Sequence, residues 1–589
     1  MNRAPSPTIA TGAPGAMAGW PVLAVAVVLI LAAVGAYWNS CNVPFLLDDP
    51  LSIGDNPSIR QLGRIGDVLS PPATGTTAAR PLLNLTYAVN FAWGGLSVRG
   101  YHAVNLLIHI CAGLALLGIV RRTLLLPDLR HRYGEAALPL AAFSALLWTL
   151  HPLQTEAVTY ISQRAESLMG LFYLLTLYGF IRAVSSITGS DLTAGNEGNE
   201  APGPVRGSLF SSLPSVRISG LEIANPCVTC PGWLYLSVIA CLCGMATKQV
   251  MVTAPVLVLL YDRAFVSGSF RSALANRRWY YASLAATWLW LGFLMQFASL
   301  AAINVGFHRG VSGLTYALTE LHVVTDYLKL AFWPRPLVFD YGTEILATDP
   351  LAAVPYALII AAILVGVAIA WHRSPRAGFL GCWFFLILAP TSTVVPIAEQ
   401  PMAESRLYLP LAAVVVLVTL LSYALGHRRA LVVLGIAAAG FGALTIHRNH
   451  DYRSELSIWE DTVARYPHTS RGHGNLAMAL VNVPGRMPDA IAHYEEALRL
   501  KPDYPEAHYN FAVALAKIPG RLAAAIVHYE VAVRLKPDFV DAHNNLAVVY
   551  AETGRLEAAI DQLEIAVRLN PAAAAIRDNL EKLKARRQP

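Results

Sequence analysis

The most restrictive feature of this 589-residue chain is a series of almost uncharged apolar runs between residues 20 and 446. A helix needs about 20 mostly apolar residues to cross a bilayer. We therefore predict eleven membrane-spanning helices, at residues 20–38, 101–119, 136–151, 166–183, 232–247, 249–262, 279–300, 351–371, 378–394, 408–426 and 430–446. With 55% hydrophobic and only 14% charged residues, the composition excludes an ordinary soluble enzyme, in which about a quarter of the residues are charged. It also excludes a disordered chain and a nucleic-acid-binding protein.

Alternate connections between these runs are short and rich in arginine. The basic connections are residues 120–134, 263–278, 372–377 and 427–429. Because short cytoplasmic loops of membrane proteins carry an excess of Lys and Arg, we predict a cytoplasmic N-terminus at residues 1–19. Eleven spans then place residues 447–589 outside the cytoplasm. The alanine-rich composition favours the inner membrane of a bacterium, with this tail in the periplasm; in a eukaryote the chain would lie in the endoplasmic reticulum membrane.

One connection differs from the others in composition. Residues 184–231 are rich in Gly, Ser, Asn and Pro, which predicts a flexible cytoplasmic insertion without a core. Cys227 and Cys230 within it are spaced as CxxC. Structural zinc needs about four ligands, and no second pair follows nearby, so we interpret these cysteines as incidental thiols.

The tail after residue 446 contains three aligned copies of one motif, beginning HGNLAMAL, HYNFAVAL and HNNLAVVY. Their period of 34 to 35 residues resembles the tetratricopeptide repeat. We predict repeats at about 470–503, 505–538 and 540–572, followed by a capping helix. Close helix packing is predicted at the small residues Ala477, Ala512, Ala547, Ala497, Ala532 and Ala566, and apolar filling at Leu476, Phe511, Leu546, Leu500, Leu535 and Leu569. The predicted fold is therefore all-α, a polytopic membrane bundle of about eleven spans followed by an α-solenoid.

One asparagine recurs on the first helix of each repeat, at Asn475, Asn510 and Asn545. An amide side chain offers both a donor and an acceptor, which suits an extended peptide backbone of any sequence. We predict that these residues line a peptide-binding concave surface. The alternative is that asparagine is merely tolerated at a solvent-facing position.

Ionisable residues of the membrane part gather in the connections predicted to be outer. The first of these, residues 39–100, carries the acidic pair Asp48 and Asp49, which suits deprotonation of a hydroxyl, a cation site or a basic partner. Charged groups at membrane depth are costly and mark functional sites by default. The further candidates at or beside these connections are His151, Glu156, Arg164, Glu166, Lys248, Glu404, Arg406 and Tyr408.

A set of short motifs carries a resemblance to a known family. In chain order they are FLLDD, RPL, GYHAVNLLIH, HPLQTEAV, RAE, ATKQ, LVFDY and ESRLYLP, with the repeats closing the chain. Together they resemble the transmembrane and tetratricopeptide-repeat protein O-mannosyltransferases, members of the GT-C glycosyltransferase class. The resemblance covers residues 40–589 apart from the insertion.

This resemblance implies an activity and roles for the candidates. GT-C enzymes transfer a sugar from a polyprenyl-phosphate donor on the outer side of the membrane, with an acidic residue of the first outer loop as base. That role would fall on Asp48 or Asp49, and the pattern leaves both open. Arg164, Lys248 and Arg406 would bind the donor phosphate. The pocket residues would be His102, His151, Glu156, Glu166, Glu404 and Tyr408. The repeats would present a protein or peptide acceptor, membrane lipids would surround the bundle, and no nucleic acid is expected. No metal ligands are assigned, although a divalent metal stays possible.

The sequence departs from the family in two places and leaves other functions open. Gln249 follows Lys248 where the family usually has Glu, and the repeat array is short. A membrane-anchored scaffold for envelope protein assembly is the main alternative. A transporter ranks last, because the halves of the membrane part are not duplicated. The sugar, the acceptor and the lipid carrier are not determined by the sequence.

Overall fold

The computed structural model describes residues 20–72, 75–194, 231–296, 311–347, 349–392, 396–397 and 400–587. The regular elements within these ranges are helices, which confirms the all-α prediction. Residues 1–19 and the pair Cys227 and Cys230 lie outside the described residues.

The membrane part is built from α-helices. They are α1 Trp20–Tyr37, α2 Ile65–Leu69, α3 Pro81–Gly94, α4 Val98–Leu124, α5 Pro127–Tyr133, α6 Ala137–Thr149, α7 Thr155–Thr159, α8 Arg164–Ala194, α9 Pro231–Met245, α10 Ala254–Phe265, α11 Phe270–Asn276, α12 Arg278–Gln296, α13 Gly313–Phe332, α14 Pro350–Arg373, α15 Pro375–Leu388, α16 Pro410–Gly426 and α17 Arg428–Asp451. Many begin at proline, which lacks the N–H that the first helical turn leaves unpaired.

Each of the eleven predicted spans overlaps one of these helices. Five helical segments of the described residues are long and apolar enough to cross a membrane by themselves: Trp20–Ser40, Val98–Leu124, Ile161–Ser185, Pro350–Arg373 and Arg428–Asp451. A sixth candidate is a pair bent by 110°, Gln249–Phe265 with Phe270–Asn276. Shorter apolar helices occur at Ala137–Thr149, Pro231–Met245, Pro375–Leu388 and Pro410–Gly426. The count of eleven spans stays a prediction.

Two stretches expected to be loops contain helices. Helix α8 continues through residue 194, so the predicted linker at 184–231 begins as helix. Helix α13 lies in the connection after the seventh predicted span. Helix α13 contacts the end of the ninth predicted span, where the Tyr316 hydroxyl donates to the Thr391 carbonyl (2.9 Å), and the outer loop that follows, where the Tyr327 hydroxyl donates to the Ala403 carbonyl (2.9 Å).

The connections gather at two opposite ends of the bundle. At one end, predicted cytoplasmic connections contact each other: Arg376 pairs with Asp128. At the other end, predicted outer loops contact each other, and the first of them has a hydrophobic core of its own. That core contains Ile53, Ile59, Val68, Leu83, Tyr87, Ala88, Tyr101, Ile161 and Ala165. The loop is therefore a packed unit that can hold a site rigidly.

The tail forms helix pairs as the repeat pattern predicts. Its helices are α18 Glu455–Arg465, α19 Ser470–Leu480, α20 Met487–Leu500, α21 Pro505–Ala516, α22 Leu522–Leu535, α23 Val540–Glu552, α24 Leu556–Leu569 and α25 Ala574–Arg587. The six small residues predicted at helix contacts are each 0% exposed. The prediction of buried apolar residues at Leu535 and Leu569 was wrong, since both are 41% exposed. Each is the last residue of its helix, where the chain turns outward.

The solenoid is docked on the outer end of the bundle through its first two helices. Phe339 packs edge-on against Trp459 of α18. Arg448 of α17 forms an ion pair with Asp461 of α18 (2.9 Å). The Ser470 N–H, at the start of α19, donates to Glu344 Oε1 (3.0 Å). These contacts place the first repeat beside the outer loops.

Candidate functional site

The acidic pair of the first loop has one buried and one exposed member. Asp49 is 1% exposed and accepts hydrogen bonds from the Leu46 N–H (3.0 Å), the Ser162 N–H (2.7 Å) and the Ser162 hydroxyl (2.5 Å). Burial raises the pKa of Asp49 to about 7, although these hydrogen bonds hold it down. Asp48 is exposed; its backbone N–H donates to the Tyr160 hydroxyl (3.0 Å), and its carbonyl accepts the Ser52 N–H (3.0 Å).

The backbone before this pair is strained. Leu47 has φ of +50°, a left-handed conformation that β-carbon crowding disfavours for residues other than glycine. Its N–H donates to Glu455 Oε1 (3.1 Å) at the start of the solenoid. Strain of this kind costs about 1–3 kcal/mol and concentrates at functional sites. A contact with the solenoid thus helps to hold the turn that presents Asp48.

Asp48 opens into a polar cavity of about 360 Å³. Its walls come from the outer loops and from the first helices of the solenoid. The lining residues are Leu47, Asp48, Glu156, Tyr160, Gln163, Phe339, Asp340, Ile397, Gln400, Trp459, Arg471 and Asn475. We name this space the junction cavity, because neither the bundle nor the solenoid encloses it alone.

Glu156 is the second carboxyl group of the junction cavity. Its Oε2 accepts the Ser405 N–H (2.9 Å), whereas its Oε1 is buried without a hydrogen-bond partner among the described residues. Burial raises the pKa of Glu156 to about 8, and the negative charges of Glu404 and Glu166 act in the same direction. Glu156 is therefore largely neutral at pH 7.

Glu404 links the outer loops behind the cavity. Its Oε1 accepts the Val338 N–H (2.5 Å) and the Tyr341 hydroxyl (3.1 Å). Arg448 lies 3.8 Å from its Oε2. Burial raises the pKa of Glu404, against the effect of Arg448. Glu404 thus holds the segment that carries Phe339 rather than lining the junction cavity itself.

The structure gives Arg164 a positioning role instead of an open phosphate site. Its guanidinium donates to Asn105 Oδ1 (2.6 Å), Asn90 Oδ1 (2.7 Å) and the Tyr101 carbonyl (2.9 Å). The same group lies 4.8 Å from the centre of the Tyr87 ring. It is fully buried. Since these partners occupy its donors, Arg164 fastens the first loop to α4 and α8.

Three predicted pocket residues are placed in packing roles. His102 Nε2 contacts the Val43 carbonyl (2.8 Å), and His151 Nδ1 accepts the N–H of Leu153 (3.3 Å). The Tyr408 hydroxyl contacts His109 (2.9 Å) in the core. None of the three lines the junction cavity.

A basic group lies near Glu166. Lys248 forms an ion pair with Glu166, and Arg80 is close enough to interact electrostatically with both. Arg80 had no role assigned from the sequence, although it is the first residue of the RPL motif. Arg406 also acts on Lys248, but its guanidinium is held by the Pro401 carbonyl (2.7 Å) and the Gln400 carbonyl.

An apolar groove of about 770 Å³ runs beside this basic group. It lies between the first loop and the outer ends of α9 and α12. Its lining residues are Leu69, Ser70, Pro71, Ala79, Pro81, Leu82, Leu242, Cys243, Ala246, Trp290, Phe293 and Leu294. Ala79 and Pro81, the chain neighbours of Arg80, line the groove. This arrangement suits a lipid chain with an anionic head.

Two more residues near the site had no assigned role. Glu320 of α13 is buried, with its Oε1 3.9 Å from Arg406 Nη1. Arg471 of α19 pairs with Asp340 (2.5 Å) across the junction cavity. The sequence signal for Glu320 was a carboxyl group in an apolar stretch, and for Arg471 a cation at the start of a repeat.

The three repeat asparagines have different surroundings. Asn475 lines the junction cavity. Asn545 donates to the Tyr509 hydroxyl (3.0 Å) of the preceding repeat, so it joins neighbouring helices. Asn510 is partly buried.

Metal ligands are not grouped in the described part of the chain. Across these ranges, no three or more His, Cys, Asp or Glu side chains come together in a way that could hold a metal ion.

Comparisons with known proteins agree with both parts of the chain. Sequence models of the tetratricopeptide repeat match residues 485–518, 519–554 and 540–572. A protein O-mannosyl-transferase of Caenorhabditis elegans is 24% identical over 502 residues, which are 80% of this chain and 62% of that protein. The Drosophila melanogaster protein O-mannosyl-transferase Tmtc3 is 24% identical over 80% of this chain and 54% of its own length. The human protein O-mannosyl-transferase TMTC1 is 24% identical over 79% and 54%. The chain thus spans about half to three fifths of these relatives.

Solved structures align with this chain at low TM-scores. A thermophilic TPR protein of Thermus thermophilus aligns with a TM-score of 0.21 and 22% identity, covering 28% of this chain and 95% of that chain. The Cut9–Hcn1 hetero-tetramer of the APC/C aligns with a TM-score of 0.23 and 14% identity, covering 77% and 95%.

Proposed function

We propose that this chain, a relative of the protein O-mannosyl-transferases that carries tetratricopeptide repeats, is an integral-membrane glycosyltransferase. It would move a sugar from a polyprenyl-phosphate donor to a hydroxyl group of a protein acceptor. The observation that carries the proposal is the exposed carboxylate of Asp48 in a cavity walled by both the membrane part and the first repeat. The names of the relatives make mannose the first sugar to test.

Asp48 is our choice for the general base. A base must reach the proton that it removes, and Asp48 is the member of the acidic pair that opens into the junction cavity. Asp49 accepts three hydrogen bonds from its own surroundings and supports the turn. In the reaction, Asp48 takes the acceptor proton while the acceptor oxygen forms a bond to the anomeric carbon. The bond from that carbon to the phosphate breaks, and the configuration inverts.

The leaving phosphate would be stabilised by Lys248 and Arg80. Cations placed where negative charge develops lower the barrier of such a transfer. The apolar groove beside Arg80 would hold the polyprenyl chain, so the phosphate would stay at the bundle surface after transfer. Arg406 is a less direct candidate, because its donors are engaged by its own loop.

The acceptor would reach Asp48 along the solenoid. Asn475 and Arg471 of α19 face the same cavity as Asp48. A segment bound to the concave surface of the repeats can therefore place a hydroxyl group in that cavity. With the predicted orientation, this occurs on the extracytoplasmic side, in the periplasm or the lumen of the endoplasmic reticulum.

The proposal is tested by glycan mass spectrometry of proteins from the outer compartment. Cells would carry the wild type, Asp48→Asn, Arg453→Gln as an exposed outer control, or no copy. We expect the glycans on these proteins to be present with the wild type and with Arg453→Gln. They should be lost with Asp48→Asn when the variant is expressed at the same level as the wild type. Identical glycan profiles in all four strains would reject the proposed activity.

A further inference from the structure

A second well-formed cavity lies at the opposite end of the bundle from Asp48. It has a volume of about 460 Å³ and is enclosed by α4, α5, α15 and α16, with Phe265 from α10. Its deep walls are apolar and include Leu116, Val120, Leu380 and Val416. We name it the inner cavity.

The lining of the inner cavity is mostly apolar, which suits neither a sugar nor a peptide. The hydroxyl of Thr123 is its polar atom on α4, and it already donates to the Ile119 carbonyl (2.8 Å) and contacts the Tyr261 hydroxyl (2.7 Å). A buried polar ligand would lose its hydrogen bonds to water without gaining replacements. An alkyl chain fits this lining.

The mouth of the inner cavity is basic. Helix α5 places Leu129 and Tyr133 on the lining, four residues apart and therefore on one helix face. His131, Arg132 and Arg376 stand at the same opening.

The charge of this mouth is not balanced by acids. Asp128 is the acidic residue of the lining, and it is paired with Arg376. Arg132 is exposed, and no carboxylate within the described ranges lies within 4 Å of it. The mouth therefore carries a positive charge that an anionic group can approach.

We propose that the inner cavity binds an anionic phospholipid of the membrane leaflet opposite the proposed active site. One acyl chain would fill the apolar depth, and the phosphate would contact Arg132 and Arg376. Basic pockets between membrane helices bind anionic head groups in this way. The site is separate from the groove proposed for the sugar donor, which lies beside Arg80 at the other end.

The test is lipid binding to the purified full-length chain after removal of lipid in detergent, measured by native mass spectrometry. The probes are phosphatidylglycerol and phosphatidylcholine with identical acyl chains, and glycerol phosphate without chains. The variants are Arg132→Gln at the mouth, Leu417→Trp to fill the cavity, and Arg429→Gln as a control. Arg429 is another exposed arginine of the predicted cytoplasmic connections that does not line the cavity.

We expect the wild type to bind phosphatidylglycerol more tightly than phosphatidylcholine and not to bind glycerol phosphate. Arg132→Gln should weaken phosphatidylglycerol binding about five-fold, since each basic residue near the head group contributes on this scale. Leu417→Trp should weaken both lipids, and Arg429→Gln neither. Bound polyprenyl phosphate should leave the effect of Arg132→Gln unchanged. Equal binding of the two lipids, or equal losses in Arg132→Gln and Arg429→Gln, would overturn the proposal.

Discussion

Replacing Asp48 and Asp49 one at a time distinguishes a catalytic carboxyl group from one that stabilises the fold. Asp48→Asn keeps the shape of an exposed side chain and removes the proposed base. General-base catalysis contributes about 10²–10⁴-fold, so we expect a loss of transfer on that scale with no change in thermal stability. Asp49→Asn should leave transfer within about ten-fold of the wild type, because the new amide occupies a buried position away from the acceptor.

The stability effect of Asp49→Asn follows from proton linkage. The pKa of Asp49 rises from 3.8 in the unfolded chain to about 7 in the fold, so the folded state binds more protons between these values. Its contribution to the free energy of unfolding is complete below pH 3.8 and declines as the pH rises to about 7. The rise of the pKa from 3.8 to about 7 corresponds to a loss of up to ~4 kcal/mol in the free energy of unfolding at pH 8. Asparagine stays neutral at every pH and avoids this loss.

The assay is thermal unfolding of the full-length variants in detergent at pH 5 and pH 8, together with the glycan profiles. Asp49→Asn should unfold at a lower temperature than the wild type at pH 5, because an amide nitrogen cannot accept the Leu46 N–H, and its unfolding temperature should fall less than that of the wild type between pH 5 and pH 8. Asp48→Asn should follow the wild type at both pH values. If folded Asp49→Asn loses all transfer while Asp48→Asn retains it, the assignment of the base is wrong.

Four further exchanges test other parts of the site and of the solenoid. Glu156→Gln should lose less unfolding free energy than the wild type as the pH rises from 6 to 9, because the wild type must also ionise a carboxyl group whose pKa is raised to about 8; chemical denaturation at the two pH values measures the difference. Lys248→Gln should lower kcat with the lipid-linked donor at least ten-fold, because the charge that develops on the leaving phosphate loses a cation, and unaltered kcat in steady-state kinetics with a defined donor would contradict this role. Asn475→Ala should raise KM for a protein acceptor without changing the melting temperature. Asn545→Ala should instead lower the stability of the solenoid by about 1 kcal/mol, because the Asn545 amide donates a hydrogen bond to the Tyr509 hydroxyl.

The helices and the repeats could be predicted from the sequence because local patterns determine them. An apolar run in a membrane has few structural options, and each predicted span overlaps a helix. Small residues recur where two helices of one repeat pack closely, so the burial of Ala477 and Ala497 was predicted correctly. Leu535 and Leu569 were misplaced because period alone does not say which way the last residue of a helix points.

The roles of the charged side chains were harder to predict from the sequence, because their partners are distant in the chain. Arg164 fits a phosphate site by residue type, but the structure supplies it with Asn90 and Asn105 from another part of the chain. Arg80 lies in the RPL motif, but the motif does not show that this arginine comes close to Lys248 and Glu166 in the fold. The difference between Asp48 and Asp49 arises from Ser162, which is more than a hundred positions away.

The location of the acidic pair between bundle and solenoid has an electrostatic consequence. Two adjacent carboxylates repel each other, and burial makes ionisation of one of them costly. With the pKa of Asp49 near 7, that group is partly protonated at neutral pH, so the neighbouring Asp48 faces less negative charge. The strained turn that separates their environments is held in part by Glu455 of the solenoid. The repeats therefore contribute to the geometry of the proposed base as well as to the wall of its cavity, and the two parts of the chain form one site.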